Sequence, residues 1–244
     1  MSTVTVLGGC GAWPEAGRAC SGFLVSHNGF DVVVDLGYAT LPRLLAHRPG
    51  GEVDAVVITH EHPDHCVDLT GLARVRAASS AGRIPLYCTP GVVSRNRAME
   101  PRPSLDSFFE VHSLPGAYQA GPLRLESWVL PHHVLNVGVR LSFSGLVVAF
   151  TGDTGPDPAL AELGAGADLF VVDSTWVDSP PSGEDEGKLM TAREAGVWAD
   201  RAGARRLLLT HFWPGADRAL GVARARLGFA GEIFTAEEDL VVSL

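Results

Sequence analysis

One short segment carries most of the side chains that could do chemistry: Thr59-His60-Glu61-His62-Pro63-Asp64-His65. Imidazoles and carboxylates at this close spacing are ligands for Zn²⁺ or a similar divalent ion. One histidine beside one aspartate is usually a surface hydrogen bond, but four candidate ligands in HxHxDH spacing favour a metal site. The segment follows the apolar run Ala55–Ile58, which predicts a buried strand. Because Pro63 cannot continue a helix and favours an extended residue before it, we expect the segment on a loop at a strand end.

Further acidic and imidazole residues follow apolar runs elsewhere in the chain. They are Asp35 after Val32–Val34, His132 after Leu123–Leu130, Asp153 after Leu146–Phe150, and His211 after Leu207–Thr210. Together with the HxHxDH segment these motifs, in this order, resemble the metallo-β-lactamase fold superfamily over about residues 3–215. The resemblance implies an α/β (α+β) fold class, a four-layer αββα metallo-β-lactamase-like sandwich. We expect residues 1–244 to form one such domain.

By the same resemblance the chain holds two divalent metal ions. His60, His62 and His132 match one site, Asp64, His65 and His211 match the other, and Asp153 matches the bridging carboxylate. The mixed imidazole and carboxylate set suits zinc, with manganese or iron as alternatives. Two ions about 3.5–4 Å apart can hold a bridging hydroxide and polarise a substrate oxygen, so we expect metal-dependent hydrolysis. Asp64 and Asp153 are the expected catalytic residues, and Asp64 could also hold the attacking water.

Asp35, His133 and Asp173 are expected beside the ligands rather than among them. The resemblance implies that Asp35 orients the HxHxDH loop, and a carboxylate that holds a ligand histidine is common around metal sites. His133 competes with His132 for the ligand role, but the spacing from His132 to the next glycine resembles ribonuclease Z-like members. The di-iron redox branch of the superfamily carries glutamate where this chain has His62, which favours hydrolysis over electron transfer.

Residues 85–91, 152–155 and 191–196 resemble ribonuclease Z and the related small phosphodiesterases that cut cyclic nucleotides. Many of those relatives carry a histidine shortly before the last stretch, where it is thought to assist proton transfer to the leaving group. This chain has Leu189 or Met190 there, which predicts an apolar wall. The relatives' glutamate after the next strand is replaced by Asp173.

The leading expectation is a phosphodiesterase acting on a small or cyclic nucleotide-like substrate. The alternative is a hydrolase of a carboxylic ester, lactone or thioester, whose better leaving group needs less acid assistance. A tRNA 3′-processing endonuclease and a non-catalytic metal-binding protein rank lower. The short interval between His132 and Asp153 leaves no room for a tRNA-gripping arm, and the stretch Ser179–Gly187, predicted to be mobile, is acidic. Because the formal charge is −9, we expect no nucleic acid polymer as partner.

Composition sets the remaining expectations. The 244 residues, 46% of them hydrophobic, can form one sizeable core, and no apolar run approaches the roughly 18 residues of a membrane span. The start of the chain shows no secretory signal, so we expect a cytoplasmic protein without a membrane partner. Four cysteines without a CxxC pair indicate free thiols, and the sequence does not decide whether Cys66 contacts a metal. A homodimer is expected at the family level.

Overall fold

The computed structural model describes residues 2–79, 82–102, 104–179 and 182–244. The chain divides into two compact units, each built on one seven-stranded mixed sheet. The first unit runs to Leu114 and includes Glu237–Ser243, and the second contains Pro115–Ala236. The expectation of a single domain stays a prediction. Among the described residues, no helix combines the length and the apolar character that crossing a bilayer requires.

The sheet of the first unit brings two polar strand ends together. Its strands are β1 Ser2–Gly8, β2 Gly22–His27, β3 Phe30–Leu36, β4 Ala55–Ile58, β5 Ile84–Cys88, β6 Phe109–Ser113 and β14 Val241–Ser243, in the spatial order β14-β1-β2-β3-β4-β5-β6. Strands β1 to β3 pair antiparallel, whereas β3 to β6 pair parallel. Because the carboxyl ends of parallel neighbours meet at one sheet edge, Asp35 at the end of β3 lies beside the segment that follows β4.

The helices of the first unit correct one expectation from the sequence. They are α1 Thr40–His47, α2 Pro63–Cys66, α3 Leu69–Ser79 and α4 Pro90–Met99. The HxHxDH segment was expected entirely on a loop, but α2 begins at Pro63 and includes Asp64 and His65. Proline is tolerated at the first helical position, where its missing N–H would have no partner in any case. His62 is extended, as predicted, with φ −65° and ψ 143°.

The second unit repeats the pattern of antiparallel strands followed by parallel ones. Its strands are β7 Ala117–Ala120, β8 Leu123–Leu130, β9 Asn136–Phe143, β10 Leu146–Phe150, β11 Leu169–Asp173, β12 Arg206–Thr210 and β13 Glu232–Thr235, in the spatial order β13-β12-β11-β10-β9-β8-β7. Strands β7 to β10 pair antiparallel and β10 to β13 parallel. The carboxyl ends of β10, β11 and β12 therefore place Asp153, Asp173 and His211 along one edge.

Three helices accompany this sheet: α5 Ala159–Leu163, α6 Ala192–Arg201 and α7 Arg218–Ala225. Helix α6 begins with a capping box, in which the Thr191 side chain accepts from the Glu194 N–H and the Glu194 carboxylate accepts from the Thr191 N–H. Side chains of all three helices pack with β10, β11 and β12 in one apolar core. This core holds the ends of the strands that carry the polar residues in fixed positions.

Candidate metal centre

Seven histidine and aspartate side chains offer a ligand atom that could hold a metal ion. They are His60, His62, Asp64, His65, His132, Asp153 and His211, the same seven that the sequence predicts. All are buried except His62, which is half-buried. Four of them belong to the first unit and three to the second.

His60 and His62 present ring nitrogens to each other at the spacing of metal ligands. The His60 Nε2 lies 3.1 Å from the His62 Nδ1. Two nitrogens bound tetrahedrally to one zinc at 2.0–2.1 Å would be about 3.3 Å apart. The two rings meet nearly edge-on, with centroids 4.8 Å apart and an interplanar angle of 80°. This arrangement suits a shared cation held by both imidazoles.

The buried Asp35 accepts several hydrogen bonds from residues in and around the HxHxDH segment. Its Oδ2 accepts the Nδ1–H of His65 at 2.7 Å and the Ser21 hydroxyl at 3.1 Å. Its Oδ1 accepts the Thr59 backbone N–H at 2.9 Å, and the Thr59 hydroxyl lies 3.1 Å from both carboxylate oxygens. The His60 Nδ1 lies 3.1 Å from that hydroxyl. One carboxylate thus sets the tautomer of His65 directly and that of His60 through Thr59, so both Nε2 atoms carry the lone pair that a metal requires.

Asp64 is held from two sides. Its Oδ2 accepts the backbone N–H of Ala12 at 2.8 Å and lies 3.6 Å from the His65 Nε2. Ala12 belongs to the loop after β1, which therefore lines the site. Gly37 passes directly beneath Asp64, because a Cβ at Gly37 would lie 1.8 Å from the Asp64 carbonyl oxygen. Only glycine allows the chain to pass so close. This contact determines how closely the start of α2 packs against the end of β3.

In the second unit, one oxygen of Asp153 faces two histidines. The Asp153 Oδ2 lies 3.1 Å from the His211 Nε2 and 3.6 Å from the His132 Nε2. One distance is slightly shorter and the other slightly longer than the spacing of about 3.3 Å expected for ligands that share a tetrahedral zinc ion. The Asn136 side chain donates to the Asp153 carbonyl oxygen at 2.7 Å, which fixes the backbone of this loop. A carboxylate oxygen placed between two imidazoles is what a bridging ligand requires.

The surroundings of His211 repeat those of His60. The Thr175 hydroxyl lies 2.7 Å from the His211 Nδ1 and donates to Asp173 Oδ1 at 2.6 Å. The backbone N–H groups of Thr154 and Thr175 also donate to Asp173, at 2.9 Å and 2.8 Å. Complete burial raises the pKa of Asp173, while the nearby His211 and the hydrogen bonds from Thr175 and Thr154 oppose that rise. In both units a threonine hydroxyl connects a ligand histidine to a buried aspartate.

Two residues of the site adopt backbone conformations that are unfavourable for a side chain. Asp35 and His211 both have φ 60°, in the left-handed region. Such a conformation costs on the order of 1 kcal/mol for a residue with a Cβ atom. Each lies where the chain leaves a parallel strand, and the turn directs the side chain to the sheet edge. Strain of this kind persists where neighbouring contacts hold the residue, as the hydrogen bonds to Asp35 and His211 do.

The residues that the sequence predicted beside the metal ligands differ in their surroundings. The exposed His133 pairs with Asp185 through its Nε2 at 3.0 Å, whereas His132 is buried and directs its Nδ1 to the Lys188 carbonyl oxygen at 3.1 Å. Cys66 lies in the apolar core of the first unit, where its thiol donates to the Glu61 carbonyl oxygen at 3.5 Å. Among the described residues it belongs to neither group of candidate metal ligands. The predicted apolar wall is wrong for Met190, because this side chain is fully buried in the core of the second unit.

Sequence reasoning did not assign roles to Thr59, Thr175, Asn136 and Ala12. A usable signal existed for Thr59, which directly precedes the first ligand, and for Thr175, which follows a buried strand and its terminal aspartate. For Asn136 and Ala12 no local signal existed, because their partners lie far along the chain.

The donor set fits divalent metal ions. The tautomers of His60, His65, His132 and His211 are all set by an acceptor at Nδ1, which leaves Nε2 as the coordinating nitrogen. Two aspartates add the negative charge that favours a dication. Nitrogen and oxygen ligands without a thiolate suit zinc and also manganese or iron.

The chain is similar to known proteins of one family. The family described as "Beta-lactamase superfamily domain" matches residues 28–212. An uncharacterised protein of Mycobacterium tuberculosis is 31% identical over 242 residues, covering 94% of this chain and 88% of the relative. A ribonuclease Z of Kineococcus radiotolerans is 28% identical, covering 93% and 90%.

A third relative has a known structure. YhfI of Bacillus subtilis, named a probable metallo-hydrolase, is 29% identical over 219 residues, covering 85% of this chain and 86% of the relative. The crystal structure of YhfI, described as a metallo-beta-lactamase fold protein, aligns with a TM-score of 0.89 and 26% identity over 99% of this chain and 98% of that one. The chain therefore belongs to the β-lactamase superfamily and has the metallo-β-lactamase fold predicted from its sequence.

Proposed function

We propose that this metal-dependent hydrolase is a phosphodiesterase that acts on a small or cyclic nucleotide-like substrate. The observation that carries the proposal is the position of Asp153. One of its two carboxylate oxygens, Oδ2, faces the imidazoles of both His132 and His211 at ligand spacing. In the two-site scheme these histidines belong to different metals, so Asp153 would serve both. The similarity to a ribonuclease Z supports phosphodiester chemistry.

All seven candidate ligands would hold two divalent ions, with zinc favoured. His60, His62 and His132 would bind one ion, Asp64, His65 and His211 the other, and Asp153 both. Such a pair of ions would activate water and stabilise charge on the phosphoryl oxygens. Asp64, fixed by the Ala12 N–H, would accept a hydrogen bond from the attacking water and orient it. Asp35 and Asp173 would keep the ligand histidines in the coordinating tautomer.

A small substrate is favoured by what lies between His132 and Asp153. Strands β9 and β10 and their turn fill that interval as a tight hairpin, so it contains no extended arm for gripping a long RNA. The formal charge of −9 and the acidic residues of Gly183–Glu186 would also repel a polyanion. Pro180 and Pro181 of the stretch predicted to be mobile lie outside the described residues. A homodimer and a cytoplasmic location stay predictions.

Hydrolysis of a carboxylic ester, lactone or thioester is the second candidate. It is favoured by Leu189 and Met190, the two residues before the N-cap of α6, because both side chains are buried and neither offers a proton to a poor leaving group. A thioester expels a thiolate, which needs less acid assistance than a ribose alkoxide.

A substrate panel separates the two candidates. Purified protein loaded with zinc or manganese is tested on bis-p-nitrophenyl phosphate, cyclic nucleotides, lactones, a β-lactam and a precursor tRNA. We expect turnover of the diesters above that of the esters. Asp64→Asn should abolish it, whereas Asp168→Asn should retain it, because Asp168 accepts from the Val147 N–H and pairs with Arg205 away from the ligands. Trimming of precursor tRNA without turnover of any small diester or ester would contradict the proposal.

A further inference from the structure

Lys188 is the only lysine of a chain with 19 lysines and arginines in total. It lies between the 3₁₀ turn Gly183–Asp185 and the start of α6, and it is half-buried. Its ammonium has no hydrogen bond or ion pair to any residue that the structure describes. The ammonium is therefore available to a charged group from outside the chain.

The backbone of Lys188 is attached to a candidate metal ligand. Its carbonyl oxygen accepts the Nδ1–H of His132 at 3.1 Å. The preceding Gly187 packs on Gly155, where an added Cβ would lie 2.1 Å from the Gly187 carbonyl oxygen. Gly155 follows Asp153 by two positions and donates its N–H to the Pro131 carbonyl oxygen at 3.1 Å. Lys188 is therefore fixed against both segments that carry ligands, at His132 and at Asp153.

The positive charge of Lys188 could attract an anionic substrate. The acidic residues Glu184, Asp185 and Glu186 precede Lys188 in the chain, and their negative charge would oppose the approach of an anionic diester. A lysine offers a compact charge on a flexible four-carbon stem, so it can follow an oxygen that moves during the reaction. Arginine, used everywhere else in this chain, presents a rigid planar fork instead.

We propose that Lys188 is a substrate-binding residue whose ammonium contacts a non-bridging oxygen of the phosphodiester. The inference deepens the proposed function and rests on it. It adds a positive charge supplied by the chain itself to the charge of the metal ions, and it assigns the substrate a net negative charge. Ester or lactone substrates without charge would gain nothing from this contact.

Steady-state kinetics on bis-p-nitrophenyl phosphate compare three variants with equal metal content by elemental analysis. Lys188→Gln should raise KM about tenfold, because it removes one charge-assisted hydrogen bond, and Lys188→Arg should stay within about threefold of wild type. Arg193→Gln is the matched control, since it removes an exposed cation of the same region that has no contact with a ligand, and its KM should change less than about twofold. Equal KM values for Lys188→Gln and wild type would overturn the proposal.

A chemical readout that needs no turnover uses the single ε-amine. Acylation of Lys188 by an N-hydroxysuccinimide ester is followed by peptide mass spectrometry, with and without inorganic phosphate, at matched ionic strength. We expect phosphate to slow acylation at least about threefold. If wild type cleaves esters but no diester, the proposed function fails, and this protection then decides the role of Lys188 separately. Equal acylation rates with and without phosphate would exclude anion binding by Lys188.

Discussion

Asp153→Ala is expected to lower hydrolytic activity by at least about 10³-fold, because two metal ions that each stabilise the transition state by several kcal/mol would lose their shared ligand. Among the described residues of the second unit, Asp153 is the candidate ligand whose oxygen faces both His132 and His211. The fold should persist. The hydrogen bond from Asn136 reaches the backbone of residue 153 and is unaffected by the substitution.

The measurements for Asp153→Ala are the rate with added zinc and the metal content by elemental analysis. We expect both metal sites to weaken together rather than one alone. Asp168→Asn, a change at an aspartate of the same unit outside the ligand set, serves as the control and should keep wild-type metal content. An Asp153→Ala protein with one firmly bound metal would show that the carboxylate does not bridge.

Asp35→Ala is expected to weaken metal affinity or activity by about 10–100-fold, the usual effect of losing a carboxylate behind a ligand histidine. It also leaves the Thr59 N–H and the Ser21 hydroxyl without their acceptor, which should cost about 2–4 kcal/mol of the free energy of unfolding. Because domains are stable by about 5–15 kcal/mol, the variant should still fold. Metal titration and urea unfolding measure the two effects separately.

Asp35→Asn separates orientation from stability. The asparagine carbonyl can still accept from the Thr59 N–H, but its NH₂ group would face the Nδ1 of His65, which needs an acceptor. His65 should then carry its proton on Nε2 and bind metal poorly, although the free energy of unfolding changes less than in Asp35→Ala. If Asp35→Asn keeps full metal content and rate, Asp35 does not act through the tautomer of His65.

The ligand candidates could be predicted from sequence because their residue types and spacing are informative without any structure. Three histidines and an aspartate in HxHxDH follow one apolar run, and His132, Asp153 and His211 each follow another. The same apolar runs indicated the strands that carry these residues, since a buried strand is a short continuous run of apolar side chains. Helix α2 was not predicted because of Pro63. Proline excludes a helix that runs through a segment, but it does not exclude a helix that begins at the proline.

The contacts around the candidate ligands could not be predicted from sequence, because they depend on which side chains lie together at the ends of neighbouring strands. Thr59 and Thr175 act only because Asp35 and Asp173 lie within reach of their hydroxyls, and no spacing in the sequence reveals those pairs. The short strands β7 and β14 were also not predicted. They have few residues and owe their conformation to pairing with β8 and β1, which the local sequence does not encode.

The proposed function requires that one chain holds two divalent metal ions. The most direct test is elemental analysis of the wild-type protein, purified after growth with ample zinc and compared with its protein concentration. We predict two equivalents of metal per chain. One equivalent or less would contradict the two-metal assignment of the seven ligands.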